Sequence, residues 1–329
     1  MRILGKTGLK ICEIGFGGIP IQNINKDQTK ELFCEMEKVG INFIDTARGY
    51  TISEELIGYA LEGKREKFIL ATKSMSRSYE GMKNDIEISL QNMKTNYIDL
   101  YQLHNVSLKE DITGAMKALE EAKNNNLIGH IGITTHSAEV LEREVNLNRF
   151  ETIQFPYNIV ESQGEKFFEK AKENNIGIIV MKPLAGGAID KPKVALKYIL
   201  NNPNISVAIP GMDTVEKVLE NVSVIGKKLT EEEQKEVLTI KESLQGDFCR
   251  RCGYCMPCPI GINIPLVFLC EGYYERYGLK EWAKSRYNSM KAKASECIKC
   301  GKCESKCPYN LKIREKLETI AKVLEEENE

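Results

Sequence analysis

The sequence predicts an α/β fold in two parts, a (β/α)8 TIM barrel followed by a small, mostly α-helical domain. Three observations predict it. Short apolar runs alternate with amphipathic helical stretches eight times between Glu13 and Gly211. Some of these runs are apolar on both faces, as in Ile176-Gly-Ile-Ile-Val-Met181, which suits a parallel sheet covered by helices. Nine of the eleven cysteines crowd between Cys249 and Cys307, a shift in composition that marks a second domain. Eight β–α units in roughly 225 residues match the size of a TIM barrel, and a doubly wound open sheet is the alternative with the same alternation.

The strands are read at Glu13–Gly18, Ile41–Asp45, Phe68–Lys73, Tyr97–His104, His130–His136, Thr152–Asn158, Gly177–Pro183 and Val207–Gly211. Helical segments between them include Gln28–Val39, Glu54–Leu61, Ile86–Met93, Ile112–Asn125, Glu165–Asn174 and Lys193–Leu200. Lys228–Gln245 reads as a charged helix opened by Thr230-Glu-Glu-Glu233, the pattern of a capping box, and is expected to finish the barrel. The boundary then falls near Gly246, giving a barrel over 1–245 and a second domain over 246–329. Leu311–Glu329 reads as an amphipathic helix that packs a stripe of Leu311, Ile313, Leu317, Ile320 and Leu324 on a neighbour.

A chain of 329 residues can bury one large core and carry a small appendage. Lys and Arg number 46 against 47 Asp and Glu, so the net charge of -1 gives no general attraction to nucleic acid or anionic lipid. The longest apolar stretch, 176–181, is too short to span a bilayer, and no apolar run follows Met1-Arg-Ile-Leu-Gly-Lys6. The expectation is a cytoplasmic protein with neither nucleic-acid nor membrane partners. A disulfide framework needs an oxidising compartment, so metal ligation is the better account of the cysteines. Cys12 and Cys34 read as small core residues. Cys270 is spare in the cysteine region, either a replacement ligand or a buried bystander.

Four residues lie at or just past the C-terminal ends of consecutive strands. Asp45 ends Ile41-Asn-Phe-Ile-Asp45, Tyr50 follows in the next loop, Lys73 ends Phe68-Ile-Leu-Ala-Thr-Lys73 and His104 ends Leu100-Tyr-Gln-Leu-His104. In a barrel these ends face one opening, where active sites form. Reducing a carbonyl needs hydride on carbon and a proton on oxygen. Tyrosine titrates near ~10 and is a weak acid at neutral pH, but a nearby Lys73 ammonium would stabilise its phenolate. Asp45 would hold Lys73 charged, and His104 would hydrogen-bond the substrate oxygen. Taken singly, these are ordinary strand-end ion pairs and a packed tyrosine; the ordered set of four is what points to a site.

The stretch Asp45-Thr-Ala-Arg-Gly-Tyr50-Thr-Ile-Ser53-Glu54-Glu-Leu-Ile-Gly58 resembles the signature loop of the aldo-keto reductases. Lys73 and His104 fall where that family has its catalytic Lys and His. Leu4-Gly-Lys-Thr-Gly-Leu9 and Ile14-Gly-Phe-Gly-Gly18 resemble its N-terminal pattern, and the resemblance covers about residues 1–240. It implies a barrel, NADPH or NADH as cofactor and a small aldehyde or ketone as substrate. Within it, Thr134-Thr135 stand where the family holds the carboxamide with Ser-Asn, and Gln154 matches the family glutamine. Met181, ahead of Pro183-Leu184, replaces the aromatic that stacks on the nicotinamide. Around the adenosine phosphate the positions read Gly211-Met212, Lys217 and Glu220-Asn221, with one basic residue in place of two. The glycines Gly15, Gly17 and Gly18 suit a tight turn under the site.

The second cysteine run, Cys297-Ile-Lys-Cys300-Gly-Lys-Cys303-Glu-Ser-Lys-Cys307-Pro308, has the bacterial ferredoxin spacing. The first, Cys249-Arg-Arg-Cys252-Gly-Tyr-Cys255-Met-Pro-Cys258-Pro259, is one residue short before its fourth cysteine. Together they supply the thiolates for two [4Fe–4S] clusters. Two Zn–S4 sites are the alternative use of paired Cys-x2-Cys, and the Cys-Pro endings and triple spacing favour iron. The tail resembles the ferredoxin-like domain fused to a subgroup of aldo-keto reductases. That resemblance implies one cluster on Cys249, Cys252, Cys255 and Cys307 and another on Cys297, Cys300, Cys303 and Cys258. Clusters carry single electrons and nicotinamide carries hydride, so exchange between them needs a splitter such as flavin. No independent flavin signature is present, although a barrel mouth can hold one. The expected function is a nicotinamide-dependent aldo-keto reductase whose clusters brace the tail or relay electrons to a ferredoxin-type partner. The competing readings are a ferredoxin-linked electron-transfer protein without nicotinamide chemistry, and a redox sensor.

Overall fold

Alternation along each strand decides the architecture. Phe43, Ala71, Leu100, Ile179 and Val207 belong to one buried apolar cluster, and their neighbours Ile44, Leu70, Tyr101, Ile178 and Ala208 belong to another. Successive side chains on a strand point to opposite faces, so each strand is buried on both sides. The computed structural model describes residues 1–244, 246 and 248–325. They form two compact units, Met1–Leu184 with Lys191–Thr230, and Ala185–Asp190 with the chain from Glu231 onward.

In the first unit a short antiparallel hairpin, β1 (Arg2–Ile3) and β2 (Lys10–Ile11), precedes eight parallel strands. These are β3 (Phe16–Gly17), β4 (Phe43–Asp45), β5 (Ile69–Ser74), β6 (Ile98–Leu103), β7 (Ile128–Thr134), β8 (Thr152–Pro156), β9 (Gly177–Met181) and β10 (Val207–Ala208). Each pairs with the next in sequence. The parallel bridges Ile14↔Ala208 and Gly17↔Gly211 join the last to the first, so the sheet closes on itself. This is the (β/α)8 barrel expected. Leu4 and Ile11 from the hairpin share the inner apolar cluster.

Eight helices follow β3 to β10 in turn. They are α1 (Lys26–Lys38), α2 (Ser53–Ala60), α3 (Tyr79–Asn92), α4 (Thr113–Asn124), α5 (Ala138–Leu147), α6 (Phe168–Glu173), α7 (Pro192–Leu200) and α8 (Val215–Val222). Helix α3 starts well before the expected Ile86, because Ser78 caps it by accepting from the Gly81 amide. The glycines of the first strand serve the barrel seam. A Cβ at Gly17 would lie 2.8 Å from the Ile209 carbonyl oxygen, and one at Gly18 would lie 2.9 Å from that of Asp45. Close strand approach, not a tight turn, requires them. Cys12 is buried as expected, while Cys34 is only half-buried and its sulfur accepts from Lys64 Nζ at 3.1 Å.

The second unit contains α9 (Glu231–Ser243), α10 (Ile264–Glu275), α11 (Lys280–Asn288) and α12 (Ile313–Glu325). Helix α9 was expected to finish the barrel, but it groups with this unit, so the division falls after Thr230, earlier than Gly246. A helix with no buried residue carries little packing signal to assign it to either side. Helix α10 buries Ile264, Val267, Phe268, Cys270, Tyr273 and Tyr274 around its circumference, as a central helix does. Leu311, Ile313, Leu317, Ile320 and Leu324 are all buried, so the expected stripe of α12 is packed. Its expected last residues, 326–329, and Gln245 lie outside the described residues. No described helix is long and apolar enough to cross a membrane.

Candidate active site and cysteine cavities

The strand alternation that fills the inner cluster also builds the polar layer above it. Phe43 and Asp45, Ala71 and Lys73, Leu100 and Gln102, and Ile179 and Met181 are pairs two residues apart, hence on one face. Register sets Lys73 opposite Gln102 and Thr134 opposite Gln154. The inward side chains thus turn from apolar to polar at the C-terminal ends of β4, β5 and β6, while β9 stays apolar with Met181.

Of the four expected catalytic residues, Lys73 and His104 meet Tyr50, and Asp45 holds Lys73. Lys73 Nζ donates to Asp45 Oδ2 at 2.5 Å and to the Thr46 carbonyl at 2.7 Å, both partners buried. The same ammonium lies 5.0 Å from the centre of the Tyr50 ring. Tyr50 and His104 meet edge to face, with ring centres 6.0 Å apart. Burial pushes the Lys73 pKa down, and the charges of Asp45 and Glu54 work against that shift. A buried ammonium kept between a carboxylate and a phenol is the arrangement that biases a phenol toward giving up its proton.

The loop between Asp45 and α2 is tied down from both sides. The Arg48 amide donates to the Lys73 carbonyl at 3.0 Å, and the Ser53 amide to the Tyr50 carbonyl at 2.8 Å. Glu54, 1% exposed, anchors it from below. Its carboxylate accepts from Arg48 at 2.6 Å, from the hydroxyls of Thr72 and Ser89 at 2.8 Å each, and from Asn92 at 3.2 Å. Sequence reasoning did not assign roles to Glu54, Arg48 or Gln102. Gln102 donates to Asp45 Oδ1 at 3.1 Å. The available signal for Glu54 was its helical spacing from Ile57 and Leu61, which puts it on the buried face. For Gln102 it was the place two residues before His104 on an inward-facing strand position.

The residues expected at a nucleotide are spread over four strand ends and α8. Gln154 is buried, its Nε2 lies 3.4 Å from Asp45 Oδ2, and its Oε1 has no hydrogen-bond partner among the described residues. A buried acceptor left for another donor fits a carboxamide NH2. Thr134 and Thr135 are buried, but their hydroxyls are engaged. Thr134 Oγ1 accepts from the Asn105 amide at 2.7 Å, and Thr135 Oγ1 donates to the Val106 carbonyl at 2.8 Å. Pro183 is buried, while Met181, Leu184 and Gly211 are half-buried. A Cβ at Gly211 would lie 2.6 Å from Pro20 Cγ, so no larger residue fits. Lys217 is paired with Asp213 at 2.5 Å, Glu220 lies 3.9 Å from Lys193, and Asn221 is buried.

Within the second unit the eight cysteines line two small cavities. Cys249, Cys252, Cys255 and Cys307 line one, and Cys258, Cys297, Cys300 and Cys303 line the other. Ile264 is the residue common to both linings. Cys270 lines neither cavity; burial pushes its thiol up to about 11, as for a bystander. The two runs share a backbone pattern. Arg251 and Lys299, each just before the second cysteine, have φ of 55° and 54°, and Gly253 and Gly301, each just after it, have φ of 81° and 74°. Left-handed turns at matching places wrap each loop around its cavity. Among the described residues no three His, Cys, Asp or Glu side chains converge closely enough to hold a single metal ion. Four thiols around a cavity suit the corners of a cluster better than one tetrahedral zinc. Burial, then the neighbouring Cys249, Cys252 and Cys307, pushes the Cys255 thiol up to about 12. Only a strongly cationic centre would hold such a set as thiolates.

The aldo/keto reductase family model matches residues 13–194. The chain belongs to the aldo/keto reductase family. A 4Fe-4S dicluster domain model matches residues 248–312. The chain is 26% identical over 288 residues to the uncharacterized oxidoreductase YqkF of Bacillus subtilis, covering 71% of this chain and 94% of that one. It is 26% identical over 279 residues to L-galactose dehydrogenase of Arabidopsis thaliana, covering 68% and 88%. The structure of aldo-keto reductase AKR11C1 from Bacillus halodurans, in its holo form, superposes with a TM-score of 0.63 at 26% identity, covering 73% and 95%. This aldo/keto reductase therefore joins an oxidoreductase barrel to a 4Fe-4S dicluster domain.

Proposed function

We propose that the barrel reduces a small aldehyde or ketone to the alcohol, or runs the reverse oxidation, with NADPH or NADH. The carrying observation is the buried Lys73–Asp45 pair beneath Tyr50, with His104 against the same ring. Bound nicotinamide supplies the hydride to the carbonyl carbon. Tyr50 gives its phenolic proton to the carbonyl oxygen, so that one C–H and one O–H bond form as the C=O double bond becomes single. Lys73 favours the phenolate left behind, and Asp45 keeps Lys73 in place. His104 orients the carbonyl oxygen toward Tyr50. Gln154 would accept from the carboxamide, while Pro183, Leu184 and Gly211 would shape the nucleotide channel and Lys217, Glu220 and Asn221 its adenosine end.

In the second unit, Cys249, Cys252, Cys255 and Cys307 would hold one [4Fe–4S] cluster, and Cys258, Cys297, Cys300 and Cys303 a second. Clusters supply single-electron chemistry, and their part here is electron relay rather than bracing alone. The compartment that suits such clusters is the cytoplasm, where thiols stay reduced.

Tyr50→Phe tests the barrel reading. Carbonyl turnover is expected to vanish while nucleotide binding, followed by fluorescence, stays near wild type. Unchanged turnover would remove Tyr50 from the mechanism. A second reading, an electron carrier without nicotinamide chemistry, draws support from the occupied Thr134 and Thr135 hydroxyls and the Lys217–Asp213 pair. Failure to bind either nucleotide, with reducible clusters in place, would favour it.

A further inference from the structure

The two cysteine runs have matching backbones but opposite surfaces. The residue after the first cysteine is Arg250 in one run and Ile298 in the other. Arg250 is 6% exposed and stacks on the Tyr309 ring, 4.0 Å from its centre, whereas Ile298 is 64% exposed. A charged residue is buried where its apolar counterpart is open to water, the reverse of what solvation favours. The cysteines follow suit. None of the first set is exposed, and Cys255 is buried, while Cys300 of the second set is exposed. The cysteine loop of the second cavity is therefore the more exposed of the two.

Charge gathers at the same place. Between Lys291 and Lys316 there are eight Lys and Arg against three Glu, a net of +5, so the rest of a chain of net charge -1 carries -6. Lys299 is paired with Glu318 at 3.0 Å and Arg314 with Glu304 at 2.6 Å. Lys302 and Lys306 are exposed on either side of Cys303, and neither forms an ion pair with a described residue. An exposed apolar residue accompanied by unpaired like charges is how weak electron-transfer encounters are steered and seated.

We propose that the face carrying Ile298, Cys300, Lys302 and Lys306 docks a small acidic one-electron carrier of the iron–sulfur type and is where electrons enter or leave the chain. The inference rests on the cluster assignment made above. In each encounter the carrier's centre loses one electron and the cluster on Cys258, Cys297, Cys300 and Cys303 gains it, or the reverse, with no bond made and no proton moved.

The test uses the full chain with its clusters in place and a reduced acidic two-cluster ferredoxin as probe, mixed anaerobically by stopped flow while cluster absorption is followed. Iron content and midpoint potentials are measured on the same samples. The second-order rate should fall as salt rises, and Lys302→Glu with Lys306→Glu should lower it by about tenfold at low salt with unchanged iron and potentials. Basic cytochrome c as acceptor should respond with the opposite sign. A rate indifferent to the double substitution and to salt overturns the docking face while leaving the clusters standing. So does a rate loss that merely tracks a shifted potential, since the lysines would then serve the cluster rather than a partner. A chain that takes up no iron overturns the cluster assignment itself, and this inference with it.

Discussion

Cys258 and Cys307 have changed places: each is the last cysteine of its own run, and each lines the cavity of the other run. The exchange holds although the first run is a residue shorter before Cys258. Each proposed cluster consequently depends on both loops. Cys258→Ser should deplete the cluster on Cys297, Cys300 and Cys303, and Cys307→Ser the one on Cys249, Cys252 and Cys255. Each variant should keep about four of about eight irons. Iron analysis with electron paramagnetic resonance separates the two, and a single variant that loses signals from neither centre would contradict the partition.

The Lys73–Asp45 pair makes a stability prediction that differs from its activity prediction. Lys73→Met leaves a buried carboxylate with only amide partners, and the expected loss is about 3–5 kcal/mol in urea unfolding. Adding Asp45→Asn removes the stranded charge and should restore most of that stability. Neither protein should regain turnover. Recovery of activity in the double variant would show that the ammonium has no chemical part.

The ion pair between Lys217 and Asp213 bears on the choice of nucleotide. Asp213→Asn frees the one basic residue expected near the adenosine phosphate. NADPH should then bind several-fold, up to about tenfold, more tightly, with NADH little changed. Equal shifts for both nucleotides, measured by titration, would place Lys217 away from the phosphate.

Glu151 predicts a pH dependence unconnected with catalysis. Burial alone would raise its pKa, but hydrogen bonds from His130 at 2.5 Å and Lys123 at 2.6 Å, with the Ile131 amide, hold it down to about 2. A depressed carboxylate stabilises the fold above its unfolded pKa near 4.5, and that contribution drains away as pH falls toward about 2. Solvent screening at this half-buried site leaves a contribution on the order of 1 kcal/mol at neutral pH. Glu151→Gln should therefore lower the unfolding midpoint at pH 7, and the gap from wild type should narrow steadily below pH 4.5. A gap constant with pH would assign the loss to packing.

The barrel was legible because its strands are short, apolar and evenly spaced, and because Asp45, Lys73 and His104 close their strands. The packed stripe of α12 was legible for a similar reason, since its spacing repeats once per turn. What escaped was set by contacts between distant parts of the chain. Nothing local marks Gly17 as the seam of a closed sheet, because the Ile209 carbonyl that forbids a side chain there comes from beside the last strand, far away in sequence. The ties on Thr134 and Thr135 come from Asn105 and Val106, on a loop after another strand. Helix α9 has no buried face at all, so its pattern held no clue to which unit it joins.

Ile264 lines both cysteine cavities, so the two adjoin at that side chain. Two redox centres that close cannot be charged independently. An electron resting on one raises the energy of a second arriving on its neighbour. A reductive titration of the loaded domain should then trace two separated waves even if the centres are chemically alike. The domain would work as a small two-step accumulator that collects electrons singly and can hold a pair.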